Sequence, residues 1–251
     1  MRAVAVSPHL DDAVFSAGAA LARLAAAGWE VQVVTVFTAS VPDPRGFALA
    51  CQLDKGLGPD VDYLARRRAE DREAVRRLGL GTPPVHLPFP EAPHRGYESA
   101  PALFAAPRAD DAGIVGEVRA ALAPLVDDAD LVLAPVGLGG HVDHLQVLAA
   151  LAPLADPVLW HDQPYALRLD GAPPSGWEDV AGQEARARKL DAAAAYATQL
   201  AFQFPAHDGV PAGEPAMRRA LGAVAERFDR PLPGGAAEAG AGAGLGPASA
   251  S

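Results

Sequence analysis

An α/β fold is predicted for this 251-residue chain, with a mostly parallel, Rossmann-like sheet carrying helices on both faces. Three observations lead there. β-Branched runs alternate with amphipathic helical stretches from the first residues onward, the order of strand–helix–strand units. The runs Arg2-Ala-Val-Ala-Val-Ser7 and Trp29-Glu-Val-Gln-Val-Val-Thr-Val-Phe37 are nearly continuous in apolar residues, as strands covered on both faces are. Two clusters rich in His and Asp follow two of the runs, and in open parallel sheets ligands bind outside the carboxyl ends of the strands.

Taken in order, Arg2–Ser7 reads as the first strand. Asp12 to Ala27 then places Val14, Gly18, Leu21 and Leu24 on one helical face and meets Gly28 at its C-terminal end, where glycine tolerates a left-handed backbone. Trp29–Phe37 is the second strand, and the crossover between two parallel strands is expected to be right-handed. Residues 38–60 read as a long loop. Arg66 to Leu78 is a charged amphipathic helix stopped by Gly79, and Pro84-Val-His-Leu-Pro88 is the third strand. The proline-rich stretch 88–107 reads as a second long loop, and both loops are candidate lids over the ligand edge. A helix over Ile114–Leu122, a fourth strand over Asp130–Val136 and a fifth over Val158–His161 complete the alternation.

Composition bounds the function. Half of the residues (50%) are apolar and 21% charged, so the chain can bury a substantial core, and residues 1–230 are expected to form one domain. Residues 231–251 contain seven Ala and six Gly, too little apolar bulk to offset the entropy of ordering, and are expected to be a flexible tail. The net charge of −10 repels phosphate backbones, which argues against nucleic acid as a partner. No apolar run reaches the ~18 residues that a membrane helix needs, and the first residues do not form a signal peptide. Cys51 is the single cysteine, so any metal needs His and carboxylate ligands, and a reducing, cytoplasmic location is expected. No G-x-G-x-x-G follows the first strand, no phosphate-binding G-x-x-x-x-G-K-[ST] occurs, and neither Ser7 nor Ser16 sits in a G-x-S-x-G elbow.

The chemistry sits in Ser7-Pro-His9-Leu-Asp11-Asp12, after the first strand, and Gly137-Leu-Gly-Gly-His141-Val-Asp143-His144, after the fourth. Parallel strands place both clusters on one edge, where three histidines and three aspartates converge. Imidazole plus carboxylate without thiolate is the ligand set of a catalytic zinc that keeps one position open for water, and a spare carboxylate beside it serves as general base. Taken singly, each residue has a plainer role: Asp11 or Asp12 as the cap of the first helix, His141 or His144 as a hydrogen-bonded loop histidine.

At these residues the chain resembles the LmbE-like (PIG-L) zinc-dependent N-deacetylase family. Pro8-His9-Leu10-Asp11-Asp12-Ala13 matches the family's H-P-D-D-E segment with Leu for Pro and Ala for Glu. Arg67-x-x-Glu70-x-x-x-Ala74-x-x-x-Leu78-Gly79 matches its helix, His141-Val142-Asp143-His144 matches H-P-D-H with Val for Pro, and Lys189 to Gln199 matches a C-terminal helix with Tyr196 in place of His. The resemblance spans roughly residues 1 to 200. It implies that His9, Asp12 and His144 ligate Zn2+, with Fe2+ as the other cation such ligands accept. It further implies Asp11 as the base, His141 beside the developing oxyanion and Asp143 orienting a histidine. Arg67 falls on a substrate-contacting position, against the plainer alternative of a helix-face ion pair with Glu70 or Asp71. Trp160 and Tyr165 are aromatics able to face a sugar ring, and Tyr196 could offer a hydroxyl to the site. The implied reaction is removal of an N-acetyl or other N-acyl group from an amino-sugar small molecule or conjugate. The alternatives are an amidase on a larger conjugate amide such as a thiol conjugate, and a silent metal-containing binding module. A small N-acylated molecule is the expected partner, with no membrane and no nucleic acid, and a homo-oligomer stays open.

Overall fold

Along β1 (Arg2–Ser7), Ala3 and Ala5 join one hydrophobic core and Val4 and Val6 another, all four completely buried. This is the period-two alternation of a strand covered on both faces. The computed structural model describes residues 1–169, 175–179 and 181–234. Strands β2 (Glu30–Thr35), β3 (Val85–His86), β4 (Leu131–Pro135), β5 (Val158–Trp160), β6 (Trp177–Glu178) and β7 (Arg227–Phe228) complete a sheet of order β3-β2-β1-β4-β5-β7-β6. Pairings from β3 through to β5 are parallel, and β7 and β6 close the far edge antiparallel.

The helices divide between the two faces. Helices α1 (Asp12–Ala26), α3 (Tyr63–Leu78), α7 (Gln183–Ala193), α8 (Ala197–Gln203) and α9 (Glu214–Gly222) contribute to the core on the Ala3 side. Helices α5 (Gly113–Val126) and α6 (Val142–Leu151) pack on the Val4 side through Val118, Leu122, Val147 and Leu151. Two further helices, α2 (Gly46–Asp54) and α4 (Ala100–Leu103), lie in the segments after β2 and β3. The sequence runs from β1 outward to β2 and β3, then returns to place β4 on the other side of β1. Connections therefore diverge at the carboxyl ends of β1 and β4, the topological switch point where open α/β sheets bind ligands.

Several local expectations need correction. Residues 38–60 are not a plain loop, because Gly46–Asp54 winds into α2, held by Gln52, whose amide donates to the carbonyls of Gly58 and Val61. The segment 88–107 contains a 3-10 turn at Ala92–His94 and the short α4. Helix α3 starts at Tyr63, ahead of the expected Arg66, because the Asp62 carboxylate caps the Ala65 N–H at 2.8 Å; it ends at Gly79 in the left-handed conformation (φ 79°), as its sequence demands. The C-terminal helix divides, with α7 ending at Ala193 and Tyr196 preceding α8.

The packed chain also continues past 230. Leu232 is buried in the core, and the Arg23 guanidinium donates to the Pro233 carbonyl; residues 235–251 of the expected tail lie outside the described residues. Truncation after Arg230 should therefore forfeit the Leu232 burial, about 1.5–3 kcal/mol, and lower Tm by several degrees relative to truncation after Gly234. Equal melting curves for the two chains would contradict this. No helix among the described residues is long and apolar enough to cross a membrane.

Candidate metal and catalytic site

The turn after β1 is built by its own side chains. Ser7 Oγ donates to the His9 carbonyl (2.7 Å) and accepts the Ala13 N–H (3.1 Å), while Asp12 Oδ2 accepts the His9 N–H at 2.9 Å. Asp12 Oδ2 also lies 3.1 Å from His9 Nδ1 and 3.3 Å from His144 Nε2. His144 comes from the first turn of α6, after β4. Two imidazoles and a carboxylate thus converge across the switch point, as the strand-end argument requires.

The residues present fit a divalent cation. His144 Nε2 is buried and makes no hydrogen bond, although it faces a carboxylate oxygen, the condition of a nitrogen reserved for a metal. The outer nitrogens of both histidines are held by carboxylates: His9 Nε2 donates to Asp143 Oδ2 at 2.9 Å and His144 Nδ1 to Asp162 Oδ1 at 2.6 Å. Carboxylate–histidine pairs of this kind fix the tautomer and raise ligand basicity. A second set, His9, His141 and Asp143, is also close enough to hold an ion, but its atoms are otherwise engaged. Asp143 Oδ2 also accepts the Ala92 N–H, its Oδ1 accepts from Arg95, and His141 Nδ1 accepts the Asp143 N–H at 3.2 Å.

Burial alone would lower the pKa of His144, yet Asp12 and Asp162 hold it up at about 9, and His9 is raised in the same way by Asp12 and Asp143. Both imidazoles must lose a proton to ligate. Cation uptake at pH 7 should then release about one or two protons, with apparent affinity rising as pH increases towards the His144 pKa. Calorimetry in buffers of different ionisation enthalpy tests this, and a buffer-independent enthalpy would contradict it.

Asp11 occupies the N-cap position of α1, but its side chain caps no helix N–H. It is buried, its Oδ2 makes no hydrogen bond, and Arg67 Nη2 lies 3.4 Å away. Burial pushes its carboxyl up to about 6 against the pull of that guanidinium. This is the environment of a base. Burial pulls His141 down to about 3, so it is neutral. With Nδ1 accepting from Asp143, its remaining proton sits on Nε2. His9, Asp11, Asp12, His141 and Asp143 all line one cavity of about 460 Å3.

A sequence model of the family described as PIG-L, GlcNAc-PI de-N-acetylase, matches residues 4–154. The chain belongs to the PIG-L family. It is 36% identical over 176 residues to 2'-N-acetylparomamine deacetylase of Streptomyces fradiae, a match covering 67% of this chain and 59% of that protein. The chain thus spans less than two thirds of that relative's length. Among solved structures, a zinc-inhibited form of teicoplanin deacetylase superposes with TM-score 0.72 at 27% identity, covering 91% of this chain and 96% of that one. The A40926 pseudoaglycone deacetylase gives TM-score 0.64 at 34% identity, covering 79% and 82%.

Around this PIG-L cluster the substrate-facing expectations divide. Arg67 lines the cavity but pairs with Asp11 and Glu91, not with Glu70 or Asp71. Those two are engaged elsewhere, Glu70 with Thr198 and Asp71 with Tyr196 and His86. Tyr165 lines the cavity with its ring 5.4 Å from that of His144. Gly139 permits this closeness: its φ is 85°, and a Cβ there would meet Tyr165 Cδ1 at 2.9 Å. Trp160 is overturned as a sugar platform, because it is completely buried in the core beneath the sheet's Ala3 side. Tyr196 is overturned too: its hydroxyl donates to Asp71 at 2.6 Å inside the protein, and it does not line the cavity. Lys189 is buried away from the site, paired with Glu226 at 2.8 Å. Gln199 lines the cavity and donates to the Tyr63 hydroxyl at 2.7 Å. Sequence reasoning did not single out Glu91 or Arg95 and gave Asp162 no role, although it follows β5 at the same sheet edge.

Proposed function

We propose that this chain is a metal-dependent hydrolase that removes an N-acetyl or other N-acyl group from an amino-sugar compound, with Zn2+ as the cation held by His9, Asp12 and His144. The observation that carries the reading is Asp11: a buried carboxylate whose Oδ2 makes no hydrogen bond, beside the ligand cluster and facing the cavity, yet neither capping a helix nor belonging to the convergent triad. The PIG-L relatives named above, a 2'-N-acetylparomamine deacetylase, a teicoplanin deacetylase and an A40926 pseudoaglycone deacetylase, support a deacetylation reading.

Bound at the triad, a divalent cation would polarise the acyl carbonyl and acidify a water. Asp11 takes one proton from the attacking water and returns it to the departing nitrogen as the C–N bond breaks, giving a neutral amine and a carboxylic acid whose remaining proton passes to the amine or to solvent, leaving carboxylate. Arg67 sets the orientation of Asp11 and, by its charge, keeps the carboxyl able to ionise near neutrality. His141, neutral with its proton on Nε2, donates to the oxygen that gains charge at the acyl carbon. Asp143 and Asp162 keep the two ligand imidazoles in register. Phe104 and Tyr165, with rings 6.0 Å apart, narrow the approach to the cavity.

The test is an acetate-release screen over N-acetylated amino sugars and their conjugates, run on protein stripped of metal and reloaded with Zn2+ or Fe2+. Release that depends on the cation is expected from at least one amino-sugar compound. Protein loaded one to one that releases no carboxylate from any member of the panel would overturn the hydrolase reading and favour a binding role.

A further inference from the structure

Two overlapping candidate cation sets share His9, and the completely buried Asp143 belongs to the second of them, with His141. What separates them is a residue 48 positions earlier. Arg95 follows the 3-10 turn after β3, and its Nη2 donates to Asp143 Oδ1 at 2.7 Å and to Gln146 Oε1 at 2.6 Å. Its Nε donates to Asp111 at 3.0 Å and its Nη1 to the Pro90 carbonyl at 2.6 Å. The guanidinium lies 4.7 Å from the centre of the Phe37 ring, whose face favours a cation. A planar fork fixed at this many points has little freedom left.

We propose that Arg95 is a positioning residue that holds Asp143 as the hydrogen-bonding partner of His9 and keeps it from serving as a metal ligand, a role that rests on the metal reading above. The geometry supplies the reason. Asp143 Oδ2 is shared between His9 Nε2 and the Ala92 N–H, so Oδ1 is the oxygen free to turn, and Arg95 occupies it. Without that bond the carboxylate keeps its charge in a buried place and its nearest compensation is a cation shared with His9 and His141. His9 would then be drawn away from Asp12 and His144. The arrangement also ties the segment carrying Glu91, Pro93, His94 and Phe104, all of which line the cavity, to a ligand imidazole. That segment, a candidate lid from its length and its place at the sheet edge, is thereby tied to the site.

The experiment compares wild type, Arg95→Gln, Arg95→Lys and Asp111→Asn, each stripped and reloaded with Co2+, reading the visible d–d bands and the affinity by chelator competition. Arg95→Gln should bind Co2+ about ten- to a hundred-fold more weakly, the usual cost of losing a ligand's supporting partner, with shifted bands. Arg95→Lys keeps the charge with one contact and should fall between; if Arg95→Gln does not fold, Arg95→Lys carries the comparison. Asp111→Asn loosens the outer end of the same network without touching Asp143 and should keep the wild-type bands and affinity. Wild-type bands and affinity in the Arg95 variants, or an equal loss in Asp111→Asn, would overturn the proposal. A wild type that takes up no Co2+ would overturn the metal reading itself, which separates the two failures.

Discussion

Asp11→Asn should lower turnover by roughly a hundred-fold or more while leaving the bound cation in place. The substitution keeps the side chain's size and removes only the charge that accepts a proton. Helix α1 loses nothing, because Asp11 caps no N–H. Arg67 loses one partner but retains Glu91, so the cavity wall should stand and KM should change little. The check is kcat by acetate release together with elemental analysis of the same preparation. Asp12→Asn is the contrasting variant, losing affinity for the cation first and activity in consequence, since a neutral amide oxygen is a poorer ligand. Equal metal loss in both variants would mean that the roles of the two aspartates are misassigned. Full activity of Asp11→Asn on a confirmed substrate would remove the base from the mechanism.

His144→Ala should abolish stoichiometric cation binding and, with it, turnover. Its Nε2 is a buried nitrogen that makes no hydrogen bond, and its removal leaves only His9 and Asp12 of the triad. Asp162→Asn tests the same imidazole from behind. Asp162 Oδ2 still accepts the Gly137 and Leu138 N–H groups at 2.9 Å in wild type, so the loop has its own reason to persist. Weakening the Oδ1 contact to His144 should cost about ten- to a hundred-fold in cation affinity. Elemental analysis after dialysis, and chelator competition, measure both. Close to one cation per chain retained by His144→Ala would sink the assignment of the triad.

The parts of the site that were legible in the sequence are those in which local order implies spatial order. A buried run followed at once by His9, Asp11 and Asp12, and another followed by His141, Asp143 and His144, suffice once the strands are parallel, because parallel strands share an edge. The observed register of β1 against β4 is that expectation realised. The helix stop at Gly79 was legible for the same reason, since a left-handed residue is a property of the chain at one point. Helix α2 was not: nine residues between prolines and glycines have too little periodicity of their own, and their order comes from packing beside the cavity.

What the sequence by itself determined is therefore the parallel part of the sheet and the edge at which the His and Asp clusters gather, whereas the antiparallel edge strands β7 and β6 were not anticipated. Tertiary structure decided the partners. Trp160 and Tyr165 are five positions apart, yet one is sealed in the core and the other faces the cavity, because strand pleat and the turn after β5 send them to different places. Tyr196 and Arg67 look equally available in sequence, but Asp71 claims the first and Asp11 with Glu91 the second. Asp162 meets His144 from 18 residues away, and Arg95 meets Asp143 from 48. Which carboxylate meets which imidazole is set by the packing of whole elements, and a buried charge takes whatever partner that packing presents, since leaving it unpaired costs more than any local preference returns.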